Sequence, residues 1–112
     1  MSLDAPTYAG NLTFEKAVEL FNRGEFFDAH EKWEELWTPK SARDRSFLQA
    51  LIHFAVACHH HQRGNAAGFE RQREKGFLKI AAYSLQHEGL DLERLIRQMA
   101  CVDQGYPKIE RV

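Results

Sequence analysis

Gly24-Glu25-Phe26-Phe27-Asp28-Ala29-His30-Glu31-Lys32-Trp33-Glu34-Glu35-Leu36-Trp37 is the stretch that decides the fold. At about 100° per residue it reads as a helix of about three and a half turns. Phe26, Ala29, Trp33, Leu36 and Trp37 fall on one apolar arc, with Glu25, Asp28, Lys32 and Glu35 opposite. Such a helix is stable only when something covers the arc. His30 and Glu34 stand one turn apart at its shoulder, between the arc and Phe27. A carboxylate in that position is expected to lose hydration and to need a partner.

The covering elements are readable on either side. Thr13 is the expected N-cap of a helix over 14–22, where Phe14, Ala17, Val18 and Phe21 repeat at helical spacing. Gly24 stops it, because glycine takes the left-handed conformation without strain. Thr38-Pro39 stops the organising helix, and 38–42 reads as a loop. A third helix over about 43–63 is apolar on more than half its circumference (Phe47, Leu48, Leu51, Phe54, Cys58), so it is expected at the centre. Gln49, His53 and His60 form a narrow polar stripe along it. Gly64 closes that helix and Asn65 caps a fourth, over about 66–87, antiparallel to the third. On this fourth helix Gly68 and Gly76 leave a smooth strip for close packing, and Arg73 shares a face with Phe69 and Phe77. Asp91 caps a fifth helix, whose Leu92, Leu95, Ile96 and Met99 face inward.

The expected architecture is therefore all-α. It is one bundle of about five helices over 12–103, with a flexible arm at 1–11, a loose or extended tail at 104–112 and no strand. Asn22-Arg23-Gly24-Glu25 and Gln62-Arg63-Gly64-Asn65 echo each other forty residues apart. Two such units read as a shared hairpin device, too few for a repeat array.

Composition narrows function by exclusion. A net charge of −1 and the lack of any Lys/Arg run argue against nucleic acid, which demands a clustered basic surplus. The chain has no apolar run long enough for a membrane span and no signal-peptide pattern, so a cytoplasmic protein is expected. Cys58 and Cys101 are read as buried, reduced thiols.

Chemistry concentrates on the His30/Glu34 pair. The second histidine of the helical zinc-protease motif is replaced by Glu34, so that motif is absent. A His and a Glu at i and i+4 can still offer two metal ligands on one face, with His53 of the central helix as third ligand and Glu31 as base. The competing reading is structural, with His30 and Glu34 bonded to each other or Glu34 paired with Arg73. His59-His60-His61 cannot chelate one ion together, since neighbours on a helix point about 100° apart. No nucleophile–base motif, phosphate loop or paired-cysteine zinc spacing is present.

The blocks Phe21-Asn22-Arg23-Gly24-Glu25-Phe26-Phe27-Asp28-Ala29-His30-Glu31, Glu34, Trp37, Phe47-Leu48-Gln49, Leu51-Ile52 and Arg63-Gly64-Asn65 with Gly68 come in an order that resembles a small prokaryotic family. That family is a domain of unknown function, number three hundred and nine, sometimes labelled a predicted metal-dependent hydrolase. The resemblance implies a compact helical bundle. It singles out His30, Glu31, Glu34, Trp37, Gln49, Arg63 and Asn65, and implies one divalent metal ion of unspecified identity. Ala50 stands where the family usually has glycine and His53 where it usually has glutamine, so a metal site built on His53 is not the family's shared site.

Two functions follow as expectations. One is a metal-dependent hydrolase with His30, Glu34 and His53 as ligands and Glu31 as base, beside Trp37, Gln49, Arg63 and Asn65 as binding residues. The other is a non-catalytic module that binds a small ligand or a protein, with the His/Glu cluster purely structural. A homodimer is compatible with both.

Overall fold

Two helical hairpins built on the same turn make up most of the molecule. In a computed structural model that describes residues 7–36 and 42–112, α1 (Leu12–Asn22) leads into α2 (Phe26–Glu34), and α3 (Ala42–Gln62) into α4 (Ala66–Ile80). The Glu25 N–H donates to the Leu20 carbonyl and the Asn65 N–H to the His60 carbonyl, each at 2.9 Å. Gly24 and Gly64 sit between them at φ 80° and 74°. This six-to-one closure around a left-handed glycine is how a helix ends when the chain must double back. The two turns touch, Gln62 Nε2 donating to the Gly24 carbonyl at 2.9 Å. The shared hairpin device is thus a structural fact.

α3 is the central helix, packed on α2 on one side and α4 on the other. Its Phe47, Leu51, Phe54, Ala55 and Cys58 have no exposed surface. An aromatic cluster holds the first hairpin together: the Trp33 ring lies 6.1 Å from Phe14 and 5.8 Å from Phe21, and Phe21 meets Phe26 edge-on at 5.0 Å. α5 (Leu92–Ala100) starts at Asp91, whose carboxylate accepts from the Arg94 N–H, and buries Leu92, Leu95 and Met99. The fold is all-α, with five α-helices among the described residues, as the periodicity predicts.

Four local expectations are corrected. α1 begins two residues early, because Asn11 rather than Thr13 is the cap, its Oδ1 accepting from the Phe14 N–H at 2.9 Å. α2 closes at Glu34, not Trp37. Trp37 and residues 38–41 of the expected loop 38–42 lie outside the described residues, and residue 42 already belongs to α3. α4 ends at Ile80, and two short antiparallel strands follow, β1 (Gln86–His87) and β2 (Leu90–Asp91). Their connecting pair, Glu88 at φ 54° and Gly89 at φ 74°, has the positive-φ signature of a tight hairpin turn.

That hairpin also gathers the two ends of the chain. The Glu88 carboxylate accepts three successive backbone N–H groups, from Thr7 at 2.9 Å, Tyr8 at 2.6 Å and Ala9 at 2.8 Å. Tyr8 is thereby seated in the core, 2% exposed and stacked on Phe14. Residues 7–11 accordingly pack against the bundle, where an arm was expected. At the other end Asn22 pairs with the Ile109 backbone in both directions, at 2.9 and 2.6 Å. Arg111 forms an isolated bridge to Leu90, so the tail is extended and anchored.

Candidate functional site

α2 places His30 and Glu34 on consecutive turns of its outer shoulder. His30 Nδ1 lies 2.6 Å from the Phe27 carbonyl oxygen, which can only accept, so Nδ1 carries a proton and donates it. Nε2 of the same ring stands 3.2 Å from Glu34 Oε1. The side chain of His30 is 15% exposed and that of Glu34 58%. The pair exists, but its carboxylate is not the desolvated one expected. Glu34 is the last residue of α2, and the helix buries only Phe26, Ala29 and Trp33. Glu31 is exposed on the same helix.

His53 answers to a different neighbour. Its Nδ1 is 2.7 Å from Gln72 Oε1 of α4, so it donates there and leaves Nε2 as a lone pair. Burial holds its pKa below the ordinary 6.5, Lys75 and Lys79 push the same way, and the Gln72 hydrogen bond opposes them. Glu34, Gln49, Ile52 and His53 line one cavity of about 420 Å³ between α2 and α3. Three polar groups with spare acceptor capacity thus face one space beside an apolar wall.

Not all the expected residues meet there. Among the described residues, no group of three or more His, Cys, Asp or Glu side chains is arranged to hold a metal ion. The ligand set of His30, Glu34 and His53 is therefore not assembled within one chain, because the His53 ring is drawn towards α4. Glu34 does not pair with Arg73 either. That guanidinium binds both oxygens of Glu70 at 2.8 Å, donates to the Met99 carbonyl and lies 4.6 Å over the Phe69 ring. Arg63 is exposed in the second hairpin turn. Asn65 caps α4, its Oδ1 accepting from the Gly68 N–H at 3.0 Å. A Cβ on Gly68 would lie 2.6 Å from Asn65 Nδ2 and 2.8 Å from the His60 ring, so Arg63-Gly64-Asn65-x-x-Gly68 is a packing motif at this turn.

The three consecutive histidines go three ways, as their spacing requires. The His59 ring lies 5.2 Å from Phe27, and Asn65 Nδ2 approaches His60 Nδ1 at 3.2 Å. His61 sits between the Tyr106 hydroxyl at 2.8 Å and the Asp103 carboxylate at 3.0 Å. Cys58 is buried, and burial pushes its thiol up to about 12; Cys101 is exposed, against the expectation of two buried thiols. The indole Nε1 of Trp33 is buried and has no hydrogen-bond partner among the described residues. The residues the sequence reading passed over are Asn22 and Glu88. Asn22 looked like a helix end only, and Glu88 fell just past the expected end of the fourth helix, where the turn signal gave no hint of what its carboxylate would bind.

No helix among the described residues is long and apolar enough to cross a membrane. The family model described as Domain of unknown function (DUF309) matches residues 14–72, which run from α1 into α4. The chain is also 34% identical over 99 residues to the uncharacterized protein YpuF of Bacillus subtilis (strain 168), over 85% of this chain and 55% of that protein. It thus spans about half the length of that relative.

Proposed function

This chain belongs to the DUF309 family, and we propose that it acts as a binding module whose ligand enters the groove between α2 and α3. The observation that carries this reading is the cavity bounded by Glu34, Gln49, Ile52 and His53. A carboxylate, an amide and a neutral imidazole lone pair beside an aliphatic wall suit a small molecule that donates hydrogen bonds and carries some apolar surface. A primary amine is the simplest such ligand. Metal-assisted hydrolysis is less well supported, because a self-contained catalytic site usually takes three protein ligands and the described residues of one chain offer no such group.

The test is thermal stability against a panel of small amines, carboxylic acids and neutral amides. Ligand at a hundred times its Kd stabilises the folded state by about 2.7 kcal/mol. Stabilisation by amines that is lost in Gln49→Leu and His53→Leu supports the reading. Turnover of ester, amide or phosphate substrates that a chelator abolishes would replace it with the hydrolase.

A further inference from the structure

We propose that the cavity between the C-terminal half of α5 and the tail of the chain binds a small phosphomonoester, gripped by Arg94 and Arg97. The cavity holds about 470 Å³, and Arg94, Arg97, Gln98, Cys101, Gly105 and Tyr106 line it, with no carboxylate of the described residues among them. That volume lies within the roughly 300–1,000 Å³ usual for small-molecule sites. The two arginines stand three residues apart on α5 and Cys101 is its C-cap four further on, a spacing that sets all three along one side of the helix. Arg97 meets Glu93 at 3.5 Å, an exposed pair that a better anion displaces, and no ion pair among the described residues includes Arg94. The walls are fixed in advance. The Gln98 side chain exchanges two hydrogen bonds with the Lys108 backbone, both at 3.0 Å, which clamps tail to helix. The Tyr106 hydroxyl is committed to His61 Nδ1 at 2.8 Å, so what remains for a ligand is the ring.

The two guanidiniums pick the ligand. One fork fills both oxygens of a carboxylate, so a carboxylic acid leaves the second arginine without a partner. A terminal phosphate presents three oxygens and a charge approaching −2, enough for both forks at once. The negative end of the α5 macrodipole lies at this cavity and opposes any anion, so binding rests on the two side chains and not on backbone. The Tyr106 ring and the Cys101 thiol give an apolar wall beside them. An ester with an aromatic or aliphatic body covers that wall, and inorganic phosphate does not.

Cys101 is exposed and lies in the cavity lining, whereas Cys58 is buried, so alkylation of Cys101 reports occupancy. The experiment measures its rate of reaction with iodoacetamide, at constant ionic strength, against increasing phenyl phosphate, phenol, benzoate and inorganic phosphate. The proposal expects phenyl phosphate to slow labelling saturably, inorganic phosphate to need a higher concentration, and phenol and benzoate to give no protection over the range in which the ester does. Arg94→Ala and Arg97→Ala each raise the half-protecting concentration of phenyl phosphate by roughly tenfold or more, through loss of a charged hydrogen-bonding partner. Arg71→Ala, which removes an exposed arginine of α4, leaves it unchanged. Both cavity arginines are exposed, so their variants keep the fold, and melting curves without ligand verify this. No protection by phenyl phosphate, equal protection by phenol, benzoate or inorganic phosphate, or protection that survives either cavity variant or falls with Arg71→Ala overturns the proposal.

Discussion

Replacing Gly76 by alanine sets two well-known effects against each other, and the structure says which wins. Gly76 lies inside α4 and faces α3. On propensity alone, alanine in a helix interior should stabilise by about 1 kcal/mol. The added Cβ, however, would fall 2.4 Å from Cε1 and 2.5 Å from Cδ1 of Phe54, about 1 Å inside ordinary carbon–carbon contact. That ring has no exposed surface and meets Phe77 edge-on at 5.5 Å, so it cannot swing aside without disturbing a second aromatic residue. Overpacking of this kind costs about 1–3 kcal/mol and occasionally more, and the full burial of Phe54, backed by the partly buried Phe77, puts this case at the upper end. After the propensity gain, the net loss should be about 2 kcal/mol.

The assay is urea unfolding followed by tryptophan fluorescence, since Trp33 is fully buried in the core against Phe14 and Phe21. The midpoint should fall with an unchanged slope, and Tm should drop by roughly 10 °C. Phe54→Leu in the Gly76→Ala background should recover part of the loss, although in the wild type it only removes packing. That coupling is what direct contact predicts. A variant more stable than the wild type by about the propensity gain, or one with no coupling to Phe54, would refute the close approach of α3 and α4.

The remaining predictions concern the ends, the thiols and His53. Glu88→Ala should cost about 2–3 kcal/mol in urea unfolding, because three backbone N–H groups lose a charged acceptor; Glu88→Gly should cost about 1 kcal/mol less, since φ 54° suits glycine. Under native conditions a thiol reagent should label one cysteine per chain, Cys101, and reach Cys58 only on unfolding. Stability should fall as pH drops below 6.5, because the unfolded chain takes up a proton at residue 53 that the folded chain, its His53 pKa lowered by burial, resists until a lower pH. His53→Gln should flatten that part of the stability–pH curve, measured by thermal melts between pH 4.5 and 7.5.

What was legible in the sequence was whatever the chain encodes over one or two turns. Gly24 and Gly64, the apolar repeat of α3 and the Asp91 cap each act on their immediate neighbours, and each stands where periodicity put it. The end of α4 was not legible for the opposite reason. Ala81, Ala82, Ser84 and Leu85 contain no helix breaker, and what competes with the helix there is a hairpin whose stability comes from Thr7–Ala9 and the residues around Arg111, about eighty and twenty positions away. A local signal cannot report a partner supplied from the far end of the chain.

The same distinction explains the site. A helical wheel fixes the angle between His30 and Glu34, and it gave their adjacency correctly. It carries no information on depth, which depends on where α2 ends and on what α3 brings alongside. Glu34 is exposed because its helix stops there. His53 points its proton at Gln72 because α4 lies on the other flank of α3. His30 thus bonds within α2 and His53 across the α3–α4 interface, so each can be removed without touching the other's hydrogen bond. Independence of the His30→Ala and His53→Leu effects on stability is thus what this geometry requires, whereas one three-ligand site would make them strongly non-additive.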